Sequence, residues 1–216
     1  MIDVTVSMNM DGSPLTKLTL IQDLSRFCVR PDERGRSLIV IQLWEIVQNT
    51  LFAWSPTILY GWRRFLLRLF GAEIGKRVLI RPTAKIKYPW KLKIGDYSWI
   101  GDNTSLYSLG PIFIGANAVI SQKSYLCTGT HDHTDPRFPY ILKAINVGDE
   151  AWVCADVFIG PGVSIGAGVV VGARSTVWRD IEAMCIAAGS PAVVKGPRIK
   201  VRKDVQAPEH ISHGDL

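Results

Sequence analysis

From residue 74 onward an aliphatic side chain recurs at every sixth position. Divided into sixes, the chain reads IGKRVL and IRPTAK, then IKYPWKLK with two extra residues. Next come IGDYSW, IGDNTS and the longer LYSLGPIF, followed by IGANAV, ISQKSY and LCTGTH. After an interruption the register resumes as VGDEAW, VCADVF, IGPGVS, IGAGVV, VGARST and VWRDIE. Glycine most often takes the second place and a small or branched residue the fifth. An amphipathic helix repeats its apolar face every 3.6 residues and a strand every two, so a period of six fits neither alone. It fits a chain that turns a corner after each hexad. The leading aliphatic points into a triangular core, the small fifth residue fills the space beside it, and the second-place glycine tolerates a sharp corner or an unusual φ. Three sides close one rung of eighteen residues. A single rung cannot bury its own face, so stacked rungs are needed, which predicts a mainly β parallel β-helix.

The rungs begin at Ile74, Ile94, Ile114, Val147 and Ile165, at intervals of 20, 20, 33 and 18 residues. The extra residues all fall in the third side: Tyr88-Pro89-Trp90, Ser108-Leu109-Gly110-Pro111, and the long insertion 132–146. Equivalent positions stack in a repeat array, so these insertions are expected along one edge. The long one opens with Thr130-His131-Asp132-His133. His131 takes the sixth place of its hexad, outside the inward positions. A histidine near its ordinary pKa of about 6.5 can accept a proton at neutral pH and pass it on.

Three segments follow: residues 1–73 as an irregular and helical arm capping the first coil, 74–200 as the β-helix, and 201–216 as a polar tail. The N-terminus lacks the basic start and apolar run of a secretory signal. The stretch 38–70 is apolar but broken by Glu45, Gln48, Asn49, Pro56, Arg63 and Arg64, so it is too interrupted to span a bilayer. Trp44, Trp54 and Trp62 are expected to pack the arm on the coil, with peripheral membrane contact as the second reading.

Composition changes this picture little. The 216 residues carry a net charge of +6, and the densest basic clusters are Arg63-Arg64 with Arg68 and the run from Lys195 to Lys203. That is mild, and no nucleic-acid motif accompanies it; it favours solubility and some attraction for anions. Cys28, Cys127, Cys154 and Cys185 form no CxxC pair, which points to reduced thiols in a cytosol.

The runs RLFGAEIGKRVLIRP, ISQKSYLCTGTHDHTDPRF, VGDEAWVCADVFIGPGVSIGAGVVVGARSTV and AAGSPAVVKGPR carry a resemblance. Residues 74–197 resemble the left-handed β-helix acyltransferases of the hexapeptide-repeat family, and within it the colanic-acid-type exopolysaccharide acetyltransferases. The resemblance implies acetyl transfer from acetyl-CoA, without a metal, to a sugar hydroxyl of a saccharide or lipid-linked saccharide. His131, not His133, matches the family's general base. A nearby carboxylate or carbonyl is expected to orient its ring, with Asp132 and Asp135 as the candidate carboxylates. For acetyl-CoA the matching positions are Trp152, Ala155 (where a serine is usual), Ala173, Arg179, Lys195 and Arg198. For the acceptor, Asp102, Asn103 and Tyr107 lie on the preceding rungs, although Leu109 stands where a polar residue is usual. The resemblance also implies a cytoplasmic homotrimer with sites between subunits.

Three other readings share the scaffold. One is an O-acetyltransferase acting on serine or an antibiotic. Another is a zinc enzyme, which would need three histidines from neighbouring rungs, whereas the repeats offer only His131 and His133. The last is a non-catalytic assembly scaffold.

Overall fold

The computed structural model describes residues 6–8, 14–16 and 21–199. They fall into two compact units. One comprises the residues up to 29 together with 131–141, and the other 30–130 with the residues from 142 onward. The polar stretch 201–216 lies outside the described residues.

In the first unit, strands Val6–Met8 and Pro14–Thr16 pair antiparallel. A short 3-10 turn at Leu24–Arg26 is capped by Asp23, whose carboxylate accepts from the Ser25 amide and hydroxyl. The Asp23 amide donates to the Pro136 carbonyl at 2.7 Å, which ties this turn to the loop 131–141.

The second unit is a coil of parallel strands on three faces. The first face stacks Glu73–Ile74, Leu92–Ile94, Ile112–Ile114, Ile145–Val147 and Ser164–Ile165. The second stacks Leu79–Ile80, Trp99–Ile100, Val119–Ile120, Trp152–Val153, Val170–Val171 and Cys185–Gly189. The third stacks Lys85–Ile86, Ser105–Tyr107, Tyr125–Cys127, Phe158–Ile159 and Thr176–Val177. The rung leaders Ile74, Ile94, Ile114, Val147 and Ile165 lie in register above one another and are all buried. The fifth-place residues, from Val78 and Ala84 through Ser98, Thr104 and Ala118 to Val169 and Ser175, are buried beside them.

The second-place glycines serve a different purpose from the one expected. None of Gly75, Gly95, Gly115, Gly148 or Gly166 has positive φ. A Cβ on Gly95 would instead sit 2.5 Å from the Ala116 nitrogen of the next rung. At eight corners the left-handed residue is the fourth in the hexad: Arg77, Tyr97, Asn103, Asn117, Lys123, Glu150, Asp156 and Arg174, with φ between 50° and 62°. Glycine is thus selected by the approach of successive rungs. Gly95→Ala is expected to cost about 2 kcal/mol through overpacking, read as a lowered urea midpoint. An unchanged midpoint would show that the rungs can spread to admit a methyl group.

The corner between third and first faces holds the insertions, one above another. Ser108 Oγ bridges the Tyr88 amide and carbonyl, and Thr128 Oγ1 donates to the Tyr107 carbonyl while accepting from the Gly110 amide. From this corner the chain leaves as strand Gly129–His131 and returns as Tyr140–Leu142, which pair with each other.

Three helices precede the coil: α1 (Pro31–Arg34), α2 (Leu38–Val47) and α3 (Tyr60–Leu69). Pro31 fits the first turn of α1, and Gly35, at φ 73°, ends it. α2 runs on into a π turn at Gln48–Phe52. Side chains from these helices meet the open edge of the first rung on every side. Arg68 donates to the Ile74 carbonyl, Arg64 to Val78, Arg63 to Ile80 and Trp44 to Ile86, while Gln48 Oε1 accepts from the Ile86 amide. Unpaired strand-edge groups are thereby satisfied without another strand. At the far end Ile181 bridges to Ile165, and strand Cys185–Gly189 turns back into antiparallel Ala192–Pro197.

Candidate active site

His131 ends its strand where the loop begins. Its Nδ1 lies 2.7 Å from the Phe138 carbonyl. A carbonyl can only accept, so Nδ1 carries a proton, and in the neutral imidazole the lone pair lies on Nε2. The Phe138 ring stacks on the imidazole at 4.1 Å and 10°, with Tyr140 at 4.6 Å and Phe27 at 5.7 Å. Phe138 adopts φ 52°, uncommon for a bulky residue, which turns its carbonyl toward the histidine.

The carboxylates singled out for orienting the ring are engaged within the loop. Asp132 accepts from the Thr134 amide and hydroxyl at 2.9 and 2.6 Å, and these bonds hold its pKa below the usual carboxylate value. Asp135 pairs with Arg137 at 2.6 Å; that bond is the largest cause of its pKa falling to about 2. Of the two partner types expected, carboxylate or carbonyl, the ring is oriented by a backbone carbonyl, that of Phe138. Phe138, Tyr140 and Phe27 were not singled out from sequence; the two aromatics of Phe138-Pro139-Tyr140, beginning seven residues past the histidine, were the available signal.

On the coil, Trp152 projects from the second face, 46% exposed, and its Nε1 donates to Ser121 Oγ at 3.0 Å. With Trp99, Arg81, Asp102, Gln122 and Tyr60 it lines a cleft of ≈ 640 Å³. Asp102 is held there by Arg81 at 2.8 Å and by the Thr83 hydroxyl at 2.8 Å. A hydrogen bond to the Tyr60 hydroxyl, and then the bond to Asp102, raise the Arg81 pKa. Asp102, Gln122, Ala155 and Ala173 are third-place residues of successive second-face hexads and stack along one corner, a register carried by bonds such as Arg174 N to Ala155 O. Ala155 and Ala173 make that corner low, since each offers only a methyl group. Asn103 is the left-handed residue beside Asp102, and its amide donates to Thr83 Oγ1.

Other candidates are placed apart. Tyr107 lies on the third face, its ring edge-on to Tyr125 at 6.0 Å, outside the cleft lining. Arg179 is exposed just past Trp178, and Lys195 is exposed on the terminal strand. Arg198 uses Nη1 to hold the carbonyls of Glu150 and Gly168, so its guanidinium is partly committed to the coil. Burial raises the Cys154 thiol pKa, as expected for a small interior filler. Among the described residues no group of three or more His, Cys, Asp or Glu could hold a metal ion.

The sequence is 56% identical over 180 residues to a protein of Escherichia coli (strain K12) named as a colanic acid biosynthesis acetyltransferase, WcaF. The match covers 83% of this chain and 99% of that protein. The chain belongs to the colanic acid biosynthesis acetyltransferases. A more distant relative of this acetyltransferase is the galactoside O-acetyltransferase of Escherichia coli (strain K12), 30% identical over 140 residues, covering 61% of this chain and 66% of that protein. A solved hexapeptide-repeat acetyltransferase from Vibrio cholerae, complexed with acetyl-CoA, superposes with a TM-score of 0.69 at 24% identity. It covers 77% of this chain and 92% of that one, and likeness at that identity establishes the fold. No family model matches the sequence. The acetyltransferase therefore combines a stacked β-coil with a histidine loop whose imidazole is fixed in one tautomer.

Proposed function

We propose that this acetyltransferase moves the acetyl group of acetyl-CoA to a hydroxyl of a saccharide precursor of an exopolysaccharide of the colanic acid type, with His131 as general base. One observation carries the mechanism: Nδ1 is pinned on the Phe138 carbonyl, which leaves Nε2 able to take a proton. Nε2 accepts the acceptor's hydroxyl proton as the oxygen attacks the thioester carbonyl carbon. The C–S bond breaks, CoA leaves as a thiolate, and the imidazolium returns the proton to sulfur. No covalent enzyme intermediate is needed.

Acetyl-CoA is assigned to Trp152, Ala155, Ala173, Arg179, Lys195 and Arg198. The low corner at Ala155 and Ala173 offers room for a slender pantetheine arm. The acceptor is assigned to Asp102, Asn103 and Tyr107; the Trp99 face and the charged Arg81–Asp102 pair suit a sugar's apolar face and hydroxyl groups. The names of the relatives support both substrates.

The reading includes a cytoplasmic homotrimer with sites between subunits. In its support, the outward residues of the second face, Leu79, Trp99, Val119, Trp152, Val170 and Ile186, are all apolar. An exposed row of this kind calls for a partner surface. The four cysteines are free thiols, as a reducing compartment requires.

Acetyl-CoA turnover against nucleotide sugars, polyprenyl-linked oligosaccharides, serine and aminoglycosides tests the function. Saccharide-dependent release of CoA thiol is the expected result. Turnover only with serine or an aminoglycoside would move the protein to that acceptor class, and no turnover with any acceptor would favour the scaffold reading.

A further inference from the structure

Helices α2 and α3 carry apolar residues on the side facing away from the coil as well as on the side packed against it. In α2, Ile41 and Trp44 are buried, whereas Ile39, Leu43 and Ile46 are exposed at helical spacing. In α3, Leu66 and Leu67 are buried, whereas Trp62, Phe65 and Leu69 are exposed, and the Trp62 and Phe65 rings stack at 5.7 Å. Between the helices Trp54 stands 86% exposed beside Leu51 and Leu59, and a shallow groove of ≈ 330 Å³ runs along these residues to Trp62. A surface helix normally turns polar residues outward, so apolar residues exposed on the outer side of both helices mark a contact surface.

The charge pattern identifies the occupant. From residue 37 to residue 62 the only charged side chain is Glu45, and Lys87 pairs with it at 2.7 Å. Arginines flank the stretch in sequence, Arg34 and Arg36 before it and Arg68 after it, the last exposed although its guanidinium also holds the Ile74 carbonyl. An uncharged apolar centre with basic flanks complements an anionic lipid surface, apolar to acyl chains and basic to headgroups. Trp54 and Ile39 (80% exposed) are also open to solvent over most of their surface; fluid acyl chains conform to such side chains, whereas a folded partner would need a matched socket. No helix among the described residues is long and apolar enough to cross a membrane, so the contact is interfacial.

We propose that the exposed apolar face of α2 and α3 docks this acetyltransferase onto an anionic phospholipid surface, with Ile39, Trp54 and Phe65 entering the acyl boundary. This does not depend on the identity of the acceptor. The test is co-sedimentation of the full chain with vesicles of phosphatidylethanolamine and phosphatidylglycerol at 3:1, compared with phosphatidylcholine vesicles. The wild type is expected to pellet with the anionic vesicles and more weakly with phosphatidylcholine. Ile39→Ser/Trp54→Ser/Phe65→Ser is expected to lower partitioning at least tenfold at an unchanged melting temperature. Should the triple variant fail to fold, Trp54→Ser alone, at a freely exposed position, is expected to weaken binding severalfold. A wild type that stays in the supernatant, or folded variants that bind equally well, would overturn the proposal. A lower particle mass of the variants by light scattering without vesicle binding by the wild type would overturn it too, assigning the face to a second copy of the chain.

Discussion

Replacing His131 with alanine is expected to cut acetyl transfer by about a thousandfold, within the range of general-base removal. The fold should survive. Among the described residues, the contacts of His131 are local, with Phe138, Tyr140 and Phe27, and no strand of the coil depends on its side chain. Acetyl-CoA binding is expected to persist, because the residues assigned to the donor belong to the coil. Asp132→Asn supplies the informative comparison. If a carboxylate oriented the ring, this variant would lose most of the rate. Because the Phe138 carbonyl accepts the Nδ1 proton, its turnover is expected to stay within about threefold of wild type. Steady-state assays of CoA thiol release separate these outcomes: an active His131→Ala would remove the histidine from the mechanism, and a crippled, folded Asp132→Asn would remove the carbonyl from its role.

Arg63→Ala is expected to lower stability by about 3 kcal/mol, from buried acceptors left unpaired and the space left by the side chain. Arg63 is fully buried, and none of its hydrogen bonds among the described residues goes to a carboxylate. Its guanidinium donates instead to the carbonyls of Ile80, Pro56 and Thr57 and to Ser55 Oγ, at 2.5 to 2.9 Å, and it lies over the Tyr60 ring at 4.9 Å. Burial draws its pKa down and Tyr60 opposes that shift. Alanine would leave buried acceptors unpaired and a cavity among them. Lysine would restore the charge, but its single ammonium lacks a planar fork able to reach all four partners. Arg63→Lys should therefore recover only part of the loss. Thermal melts are expected to fall by roughly 10 °C for the alanine variant; a change under about 2 °C would mean the cap holds without this residue.

The coil was legible because its rule is local. Each hexad states its own inward aliphatic and its own small neighbour, and the structure stacks Ile74 on Ile94 on Ile114 as that rule requires. The second-place glycine was legible as a position, while its cause was not: the pressure comes from a rung about twenty residues away, which no single hexad encodes. The Arg63-Arg64-Arg68 cluster reads in sequence as solvated charge available to anions. In the fold those side chains turn to backbone carbonyls, a partner type that leaves no mark in the sequence. The histidine loop shows the same limit. His131 could be picked out by its chemistry, whereas its orienting partner is a main-chain oxygen supplied by a phenylalanine.

The capped first rung also bears on how long such a protein can be. Helical side chains cap the first rung and the returning Ala192–Pro197 strand covers the far edge of the second face, and neither device reads how many turns lie between. Inserting or deleting one eighteen-residue unit would shift the distance between the ends while leaving both devices intact, which makes length the property this architecture can most freely vary by duplication.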